Sequence, residues 1–418
     1  MNLLSLATKS SHYKRIAQIY RELYTNQAPQ SVYLYWQVNR ILTLLENADH
    51  HAVENITQKL IQQKHFIAYY YLAQSLALRG LNEEATHSLE LLFQHHPQHL
   101  DATYLYADLQ TQLGNKAQAI HILEHAAQTS KRKKTWQALS NLVDTKTEFD
   151  HFYTQFKQKY PIALGSLSYD LACHLSNAAL RAKKIDFALD LWRAQYHAHL
   201  SSADNNAVKF QPSKKYTDQL AARALSDIRQ HFDESNIPFF LISGTLLGCI
   251  REHKLLAHDK DIDIGVWETH TVGELHAILR KSGCFYILPN NNKQLLVIRH
   301  VNGTTIDIFI HYREANDYWH AGGKSKWHNT PFELVYQDFL GSQYLIPKNY
   351  DLYLTENYGN WHTPKPIFDS ALDTPNMEIT SHEEMLIYLY KKLTFTQNLS
   401  PSLKQRLQTH LISFGEKI

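Results

Sequence analysis

The chain has 418 residues, 44% of them apolar, with 42 basic against 40 acidic side chains and a formal net charge of +2. That length and apolar share allow two or three domains with buried cores, and the near balance of charge excludes a dedicated nucleic-acid scaffold. The three cysteines, Cys173, Cys249 and Cys284, are scattered without a CxxC pair, which excludes a disulfide framework or a zinc ribbon and points to a reducing cytoplasm.

The first ten residues carry no apolar run of signal-peptide length, and His12, Lys14 and Arg15 follow closely. No later stretch approaches the ~18 apolar residues of a membrane helix, so no transmembrane segment is expected. A helical repeat comes next. Ala73, Gly80, Ala85 and Leu89 recur 34 residues later as Ala107, Gly114, Ala119 and Leu123, which is the tetratricopeptide (TPR) period. Small residues at these positions let paired helices approach, the glycines suit the turn within each pair, and Pro97 ends a second helix. Ser176, Lys183, Ala188 and Trp192 fit a later copy, and Tyr13 to Lys64 reads as degenerate helix pairs. An ordinary helical domain with accidental periodicity is the competing reading. Lys131 to Lys134 is a short basic run, read as a solvated loop rather than as a contact for an anionic polymer or membrane surface.

The composition changes after Leu200. Residues 201–215 are polar with a proline break and read as a linker between a TPR-like α-solenoid (1–200) and a mixed α/β domain (216–418). An amphipathic helix is expected from Tyr216 to Phe232, with Leu220, Ala224, Leu225 and Ile228 as its apolar stripe. A buried strand, Pro238 to Ile242, delivers the chain to Ser243-Gly244-Thr245, and a helix from Thr245 to about Arg251 would aim its first amides at an anion. Gly244 would let a phosphate approach the backbone, with Ser243 or Thr245 donating a hydroxyl hydrogen bond.

Asp261 and Asp263 then alternate with Ile262 and Ile264, so an extended strand puts both carboxylates on one face, ~6–7 Å apart. Asp307, between Ile306 and Ile308, repeats this arrangement in a second apolar strand. Three converging carboxylates would suit a hard divalent cation, Mg²⁺ or Mn²⁺. Arg251 could hold a phosphate or an anionic acceptor with its fork, against the alternative of a solvated salt bridge. His253 and His258 stand nearby, His258 as a base of low weight among 26 histidines. Gly322-Gly323-Lys324-Ser325 lacks the GxxxxGK[ST] spacing, so a Walker A site is rejected, although Lys324 and Lys326 are expected near substrate. Trp361 is either part of a packed corner or a shelf for a base or sugar. Ser381 to Glu384 reads as a capping box opening a helix through Leu393, and a last helix is expected from Ser402 to Phe414.

The string Gly244-Thr245-Leu246-Leu247-Gly248-Cys249-Ile250-Arg251, followed by Lys260-Asp261-Ile262-Asp263-Ile264-Gly265, resembles the LicD and fukutin branch of the nucleotidyltransferase superfamily. Tyr358-Gly359-Asn360-Trp361-His362-Thr363-Pro364, with Asp369 and Pro375-Asn376, is similar to the tail of fukutin-like proteins, although only one residue separates Gly359 from Trp361. Ala257-His258 stand where LicD sequences have Pro-Trp. The resemblance implies a nucleotidyltransferase fold, and a metal-dependent transfer of ribitol phosphate, glycerol phosphate or phosphocholine from a CDP-alcohol donor (CDP-ribitol, CDP-glycerol or CDP-choline). The acceptor it implies is a hydroxyl of a glycan in capsule or lipopolysaccharide biosynthesis. Asp261, Asp263 and Asp307 would hold the metal, Asp259, which matches the first acid of the LicD run, would be an accessory ligand or stand just behind the ligands, and Ser243, Gly244, Thr245, Arg251, Lys324 and Trp361 would bind substrate. A cytoplasmic bacterial protein, peripheral at the inner face of the membrane, is expected. The alternatives are a TPR-mediated protein- or glycan-binding adaptor with a degenerate catalytic half, and a sugar-nucleotide glycosyltransferase.

Overall fold

The computed structural model describes residues 15–17, 19–20, 23–24, 31–201, 217–257, 259, 261–289, 292–365, 368–396 and 399–417. Tyr13, Tyr216, His258, Lys260 and all of the expected linker except Ser201 lie outside these. The described residues form two compact units. The first comprises those up to Lys131 with 276–287 and 299–303; the second comprises 132–275, 288–298 and 304–417. Among the described residues, no helix is long and apolar enough to cross a membrane.

The first unit is a succession of helices, each packed on the next: α1 (Val32–Glu46), α2 (His50–Gln62), α3 (Ala68–Leu78), α4 (Asn82–His95), α5 (Leu100–Gln112) and α6 (Lys116–Thr129). Side chains that accept a free backbone N–H start several of them, as Ser31 does from Leu34 and Asp49 from Ala52. The repeated alanines Ala73, Ala107, Ala85 and Ala119 and the leucines Leu89 and Leu123 are all buried. Each fully buried leucine contributes about 1.5–3 kcal/mol. Gly80 and Gly114 take φ of 72° and 85° in the turns that close α3 and α5, a left-handed conformation that a Cβ disfavours.

The second unit opens with α7 (Lys133–Ser140), α8 (Lys146–Lys159), α9 (Tyr169–Arg181) and α10 (Ile185–Ser201). Lys183, the counterpart of the two glycines, adopts φ of 55° between α9 and α10, so the turn geometry persists where the glycine does not. Trp192 is buried and donates from Nε1 to Ser176 Oγ at 2.9 Å, joining two residues of the later repeat copy. After α11 (Asp218–Glu234) the chain runs through β1 (Phe239–Leu241), α12 (Ser243–Leu247), β2 (Ile262–Trp267), α13 (Val272–Leu279), β3 (Phe285–Ile287), β4 (Leu295–His300) and β5 (Thr305–Arg313), of which β3, the second half of α13 and the end of β4 belong to the first unit. The chain continues through β6 (Tyr318–Gly322), β7 (Ser325–Asn329), β8 (Leu334–Phe339), β9 (Ser342–Pro347), α14 (Tyr350–Tyr358), β10 (Met377–Ile379), α15 (His382–Phe395) and α16 (Pro401–Ser413). In α11 the expected Ala224, Leu225 and Ile228 are buried together with Phe232, and Ala221 is buried in place of the expected Leu220.

Eight strands lie side by side in the order β10-β7-β6-β5-β2-β1-β9-β8. β2 runs parallel to β5 and antiparallel to β1, so the sheet is mixed. The registers pair Asp263 with Asp307 and Ile264 with Ile308. One face of this strand pair therefore carries Ile262, Ile264, Val266, Ile306, Ile308 and Ile310, all buried in the core, while the aspartates project from the other.

Further along the aspartate face the same registers build a row of rings. His311 pairs with His320 and His320 with Trp327, stacked at centroid distances of 4.3 and 5.1 Å. Phe240 closes on His311 at 4.9 Å and on Trp267 at 4.7 Å. Gly265 makes room for this, since a Cβ there would lie 2.6 Å from the Phe240 ring. His311 and His320 are 1% and 2% exposed, and neither His311 Nε2 nor His320 Nδ1 has a hydrogen-bond partner among the described residues. Burial lowers the pKa of His311 to about 3. It also pushes His320 well down, helped by His311 and His328. Unfolding lets each ring take up a proton below pH 6.5, whereas the folded rings stay neutral. Stability is thus full above pH 6.5 and falls as the pH drops, by up to about 1.4 kcal/mol per pH unit for each ring. The melting temperature of the wild type relative to that of His311→Leu should fall from pH 7 to pH 5; parallel pH profiles for the two proteins would contradict this origin.

Candidate functional site

A cavity of about 850 Å³ opens over the aspartate end of the sheet. Ser243, Gly244, Arg251, Asp259, Asp261, Asp263, Asp307, Lys324 and Trp361 all line it, so nine of the ten residues singled out in the sequence meet at one site. Thr245 does not. It is fully buried, and its Oγ1 accepts the Asp263 N–H at 2.8 Å, so the hydroxyl expected to bind phosphate instead fixes the first turn of the helix to the start of β2.

Local backbone geometry sets the carboxylates. Ser243 takes φ of 47°, an uncommon conformation for a residue with a Cβ, and this turns the Gly244 N–H onto Asp263 Oδ2 at 3.2 Å. The anion at the first turn of α12 is therefore the protein's own Asp263, not a ligand. Gly244 is needed at close quarters, because a Cβ would sit 2.7 Å from Asp259 Oδ2. The helix is also shorter than expected: after Leu247 the chain widens into a π-helical turn, Gly248–Glu252, and leaves it at His253 with φ of 53°. Such turns re-aim side chains. Here Arg251 donates to the Trp361 carbonyl at 3.0 Å and to Glu252 at 3.0 Å, so its fork ties the wall of the cavity together.

Trp361 is 6% exposed, donates from Nε1 to Asp351 at 3.2 Å and stacks on His362 at 3.8 Å. This is the packed corner rather than a free stacking shelf. Asp369, from the same resemblance block, is buried against Lys392, Tyr388 and the Ala371 N–H. Gly323-Lys324 form the turn of the β6–β7 hairpin, in which Gly322 pairs with Ser325. Gly323 has φ of 63°, which agrees with the rejection of a phosphate loop. Lys326 lies over the Trp319 ring at 4.2 Å and does not line the cavity. Ser381 accepts the Glu384 N–H, but its hydroxyl donates to Glu383, so only one arm of the expected capping box forms.

The acids are strongly coupled. Burial, then Asp261, Asp259 and Asp307, push Asp263 well above the usual carboxylate range, with the Gly244 N–H opposing. Burial and Asp261 raise Asp307 to about 7. Tyr358, absent from the sequence-derived set as a functional group, lines the same cavity. Burial and then Asp263 and Asp259 push its phenol well up, which keeps it a proton donor. Its place could be found only from the fold, since about 95 residues separate it from Asp263. Four carboxylates crowded on a half-dry face form a hard-oxygen donor set that fits a divalent cation. Among the described residues no three of them bring one oxygen each within 4.8 Å of one another. A cation here would rest on one or two carboxylates, with substrate and water oxygens completing its shell.

Residues 236–349 match the family model described as LicD/FKTN/FKRP, nucleotidyltransferase domain. The chain is 26% identical over 200 residues to "Ribitol-5-phosphate transferase FKTN" of Homo sapiens, and matches the Macaca fascicularis and Mus musculus proteins of that name equally well. The matched region covers 44% of this chain and 41% of each relative.

The contact between Gly244 and Asp259 makes a specific demand. Gly244→Ala should fold, with an unchanged circular dichroism spectrum, yet bind Mn²⁺ ~10-fold or more weakly in a paramagnetic resonance titration. Equal affinity would mean that Asp259 gives way and takes no part in holding the cation.

Proposed function

We propose that this chain, built around a LicD/FKTN/FKRP nucleotidyltransferase domain, transfers a phospho-alcohol from a CDP-activated donor to a glycan hydroxyl. The observation that carries this reading is the register pairing of Asp263 with Asp307 at the floor of one cavity, with Asp261 and Asp259 on its lining. The printed name of the matched relatives makes ribitol phosphate the first alcohol to test, ahead of glycerol phosphate and phosphocholine.

In this reading Asp261 and Asp263 hold Mg²⁺ or Mn²⁺, with Asp259 in support. When bound, the cation would draw negative charge from the donor diphosphate. The rest falls to the chain's own groups. Gly244 lets Asp259 close on the turn while its N–H holds Asp263 in place. The acceptor oxygen attacks the alcohol-bearing phosphorus, a P–O bond forms, the anhydride P–O bond breaks and CMP leaves. Asp307 takes the acceptor hydroxyl's proton, and its pKa of about 7 supports that role. Tyr358, held protonated, can donate to a phosphate oxygen. The rings of Phe309, His320 and Trp327, which line the cavity, dry its back and strengthen each of these interactions. The helices of the first unit would recruit a protein or polysaccharide partner; a groove of about 610 Å³ beside Phe93, Tyr106, His121 and His125 supports this.

Purified protein, Mg²⁺ or Mn²⁺, a panel of CDP-alcohols and glycan acceptors should release CMP. Chelation by EDTA should abolish the release, and Asp307→Asn should lower it by ~100-fold or more with the melting temperature retained. Full activity in Asp263→Asn and Asp307→Asn would defeat the reading, as would turnover with UDP-sugars alone.

A further inference from the structure

The groove of about 610 Å³ in the first unit is walled by the end of α4, the turn after it, and one face each of α5 and α6. Sites for small organic ligands span ~300–1,000 Å³, so it has room for a short oligomer but not for a folded partner. Its lining is selective. Asp101, Asp108, Lys116 and Glu124 are the only Asp, Glu, Lys or Arg residues of α5 and α6, and all four lie outside it. The chain has 42 basic and 40 acidic side chains, yet none of them is among the 13 residues that line this groove. A charged ligand would find no counter-ion there.

The lining offers two other kinds of contact. Phe93 and Tyr106 make an aromatic corner, with ring centres 5.7 Å apart and planes at 72°. Tyr106 is held in it, because its hydroxyl donates to Glu90 at 3.2 Å. Burial and then Glu90 raise its pKa, so the phenol stays neutral. Along α6, Gln118, His121 and His125 follow at steps of three and four residues, one face of the helix spread over ~10 Å at 1.5 Å per residue. These three and Gln98 are exposed, and their side chains form no hydrogen bond to any described residue.

An amide or a neutral imidazole offers both a donor and an acceptor, which is what a sugar hydroxyl requires. An aromatic corner receives the C–H face of a pyranose. A peptide is served less well. The walls are helices and a turn, so the groove has no sheet edge on which an extended chain could add a strand, and no cation to take a terminal carboxylate.

Deepening the recruitment reading given to these helices above, we infer that the groove is a binding site for an uncharged saccharide segment. A sugar face packs on Phe93 and Tyr106, and its hydroxyls hydrogen-bond to Gln98, Gln118, His121 and His125. Sugars bearing carboxylates or phosphates are disfavoured, because their charge would lose water without gaining a partner.

The test uses the full chain and needs neither donor nor metal, so it stands apart from CMP release. Saturation-transfer NMR is recorded with maltotetraose, cellotetraose, xylotetraose, mannotetraose, tetragalacturonate and a neutral Ser/Gln decapeptide. At least one neutral tetrasaccharide should bind, and tetragalacturonate and the peptide should not. Gln118→Ala/His121→Ala, at two exposed positions, should weaken that binding ~10-fold or more with the melting temperature retained. Phe93→Leu, which keeps an apolar side chain and removes the ring, should weaken it as well. Binding to none of the neutral sugars, or binding that both variants leave intact, overturns the site. Variant-sensitive binding of tetragalacturonate or of the peptide would assign the groove to a different ligand and overturn it too. Saccharide binding without CMP release from any CDP-alcohol would uphold this site and defeat the transferase reading alone.

Discussion

The parallel pairing of β2 with β5 is the constraint on which the rest of the second unit depends. It sets Asp263 beside Asp307 on neighbouring strands, an arrangement of like charges that works against folding. At ~5 Å and an effective dielectric near 20, two full charges would repel by roughly 3 kcal/mol. The opposite face carries Ile262, Ile264, Val266, Ile306, Ile308 and Ile310, each no more than 2% exposed. At about 1.5–3 kcal/mol for each side chain, their burial exceeds the repulsion several-fold. The register is therefore decided by the aliphatic face, and the acids are carried along with it. Part of the repulsion is also avoided chemically, because burial and the neighbouring carboxylates raise the pKa of Asp263 and Asp307 and favour their protonated forms when no cation is present.

What was readable in the sequence followed from short-range periodicity. Asp261-Ile262-Asp263-Ile264 and Ile306-Asp307-Ile308 alternate in the period of a strand, and their side assignment needs no knowledge of the partner. The glycines at 80 and 114 mark turns whose left-handed φ is a local demand, and the structure has them there. Readings that failed or changed depended on partners far along the chain. The Thr245 hydroxyl looked available for a ligand until β2 folded back and offered it the Asp263 N–H. The Arg251 fork looked free until Trp361, 110 residues on, presented its carbonyl. The π-helical turn at Gly248–Glu252 left no composition signal, since its residues suit an α-helix equally well.

The ring row was invisible for a related reason. His311, His320 and Trp327 belong to three strands, and only the β5–β6–β7 register brings them into line. A slip of one residue in either pairing would send an imidazole to the opposite face of the sheet. Among 26 histidines these two are distinguished by register alone. The hairpin that carries Lys324 is fixed by the same pairings, so the position of the ammonium is determined together with that of the rings.

That wall has a character of its own. Aliphatic side chains would exclude water and do nothing else, whereas two of these rings are weak bases whose affinity for a proton is held down by their burial. The acids in front of them hold their raised affinity for protons under the same condition. Acidity at the floor and dryness at the back are thus linked: an opening that wetted both would raise the rings' proton affinity toward that of a free imidazole and lower that of the carboxylates, so that below about pH 6.5 protons would pass from acid to base along a single edge of the sheet.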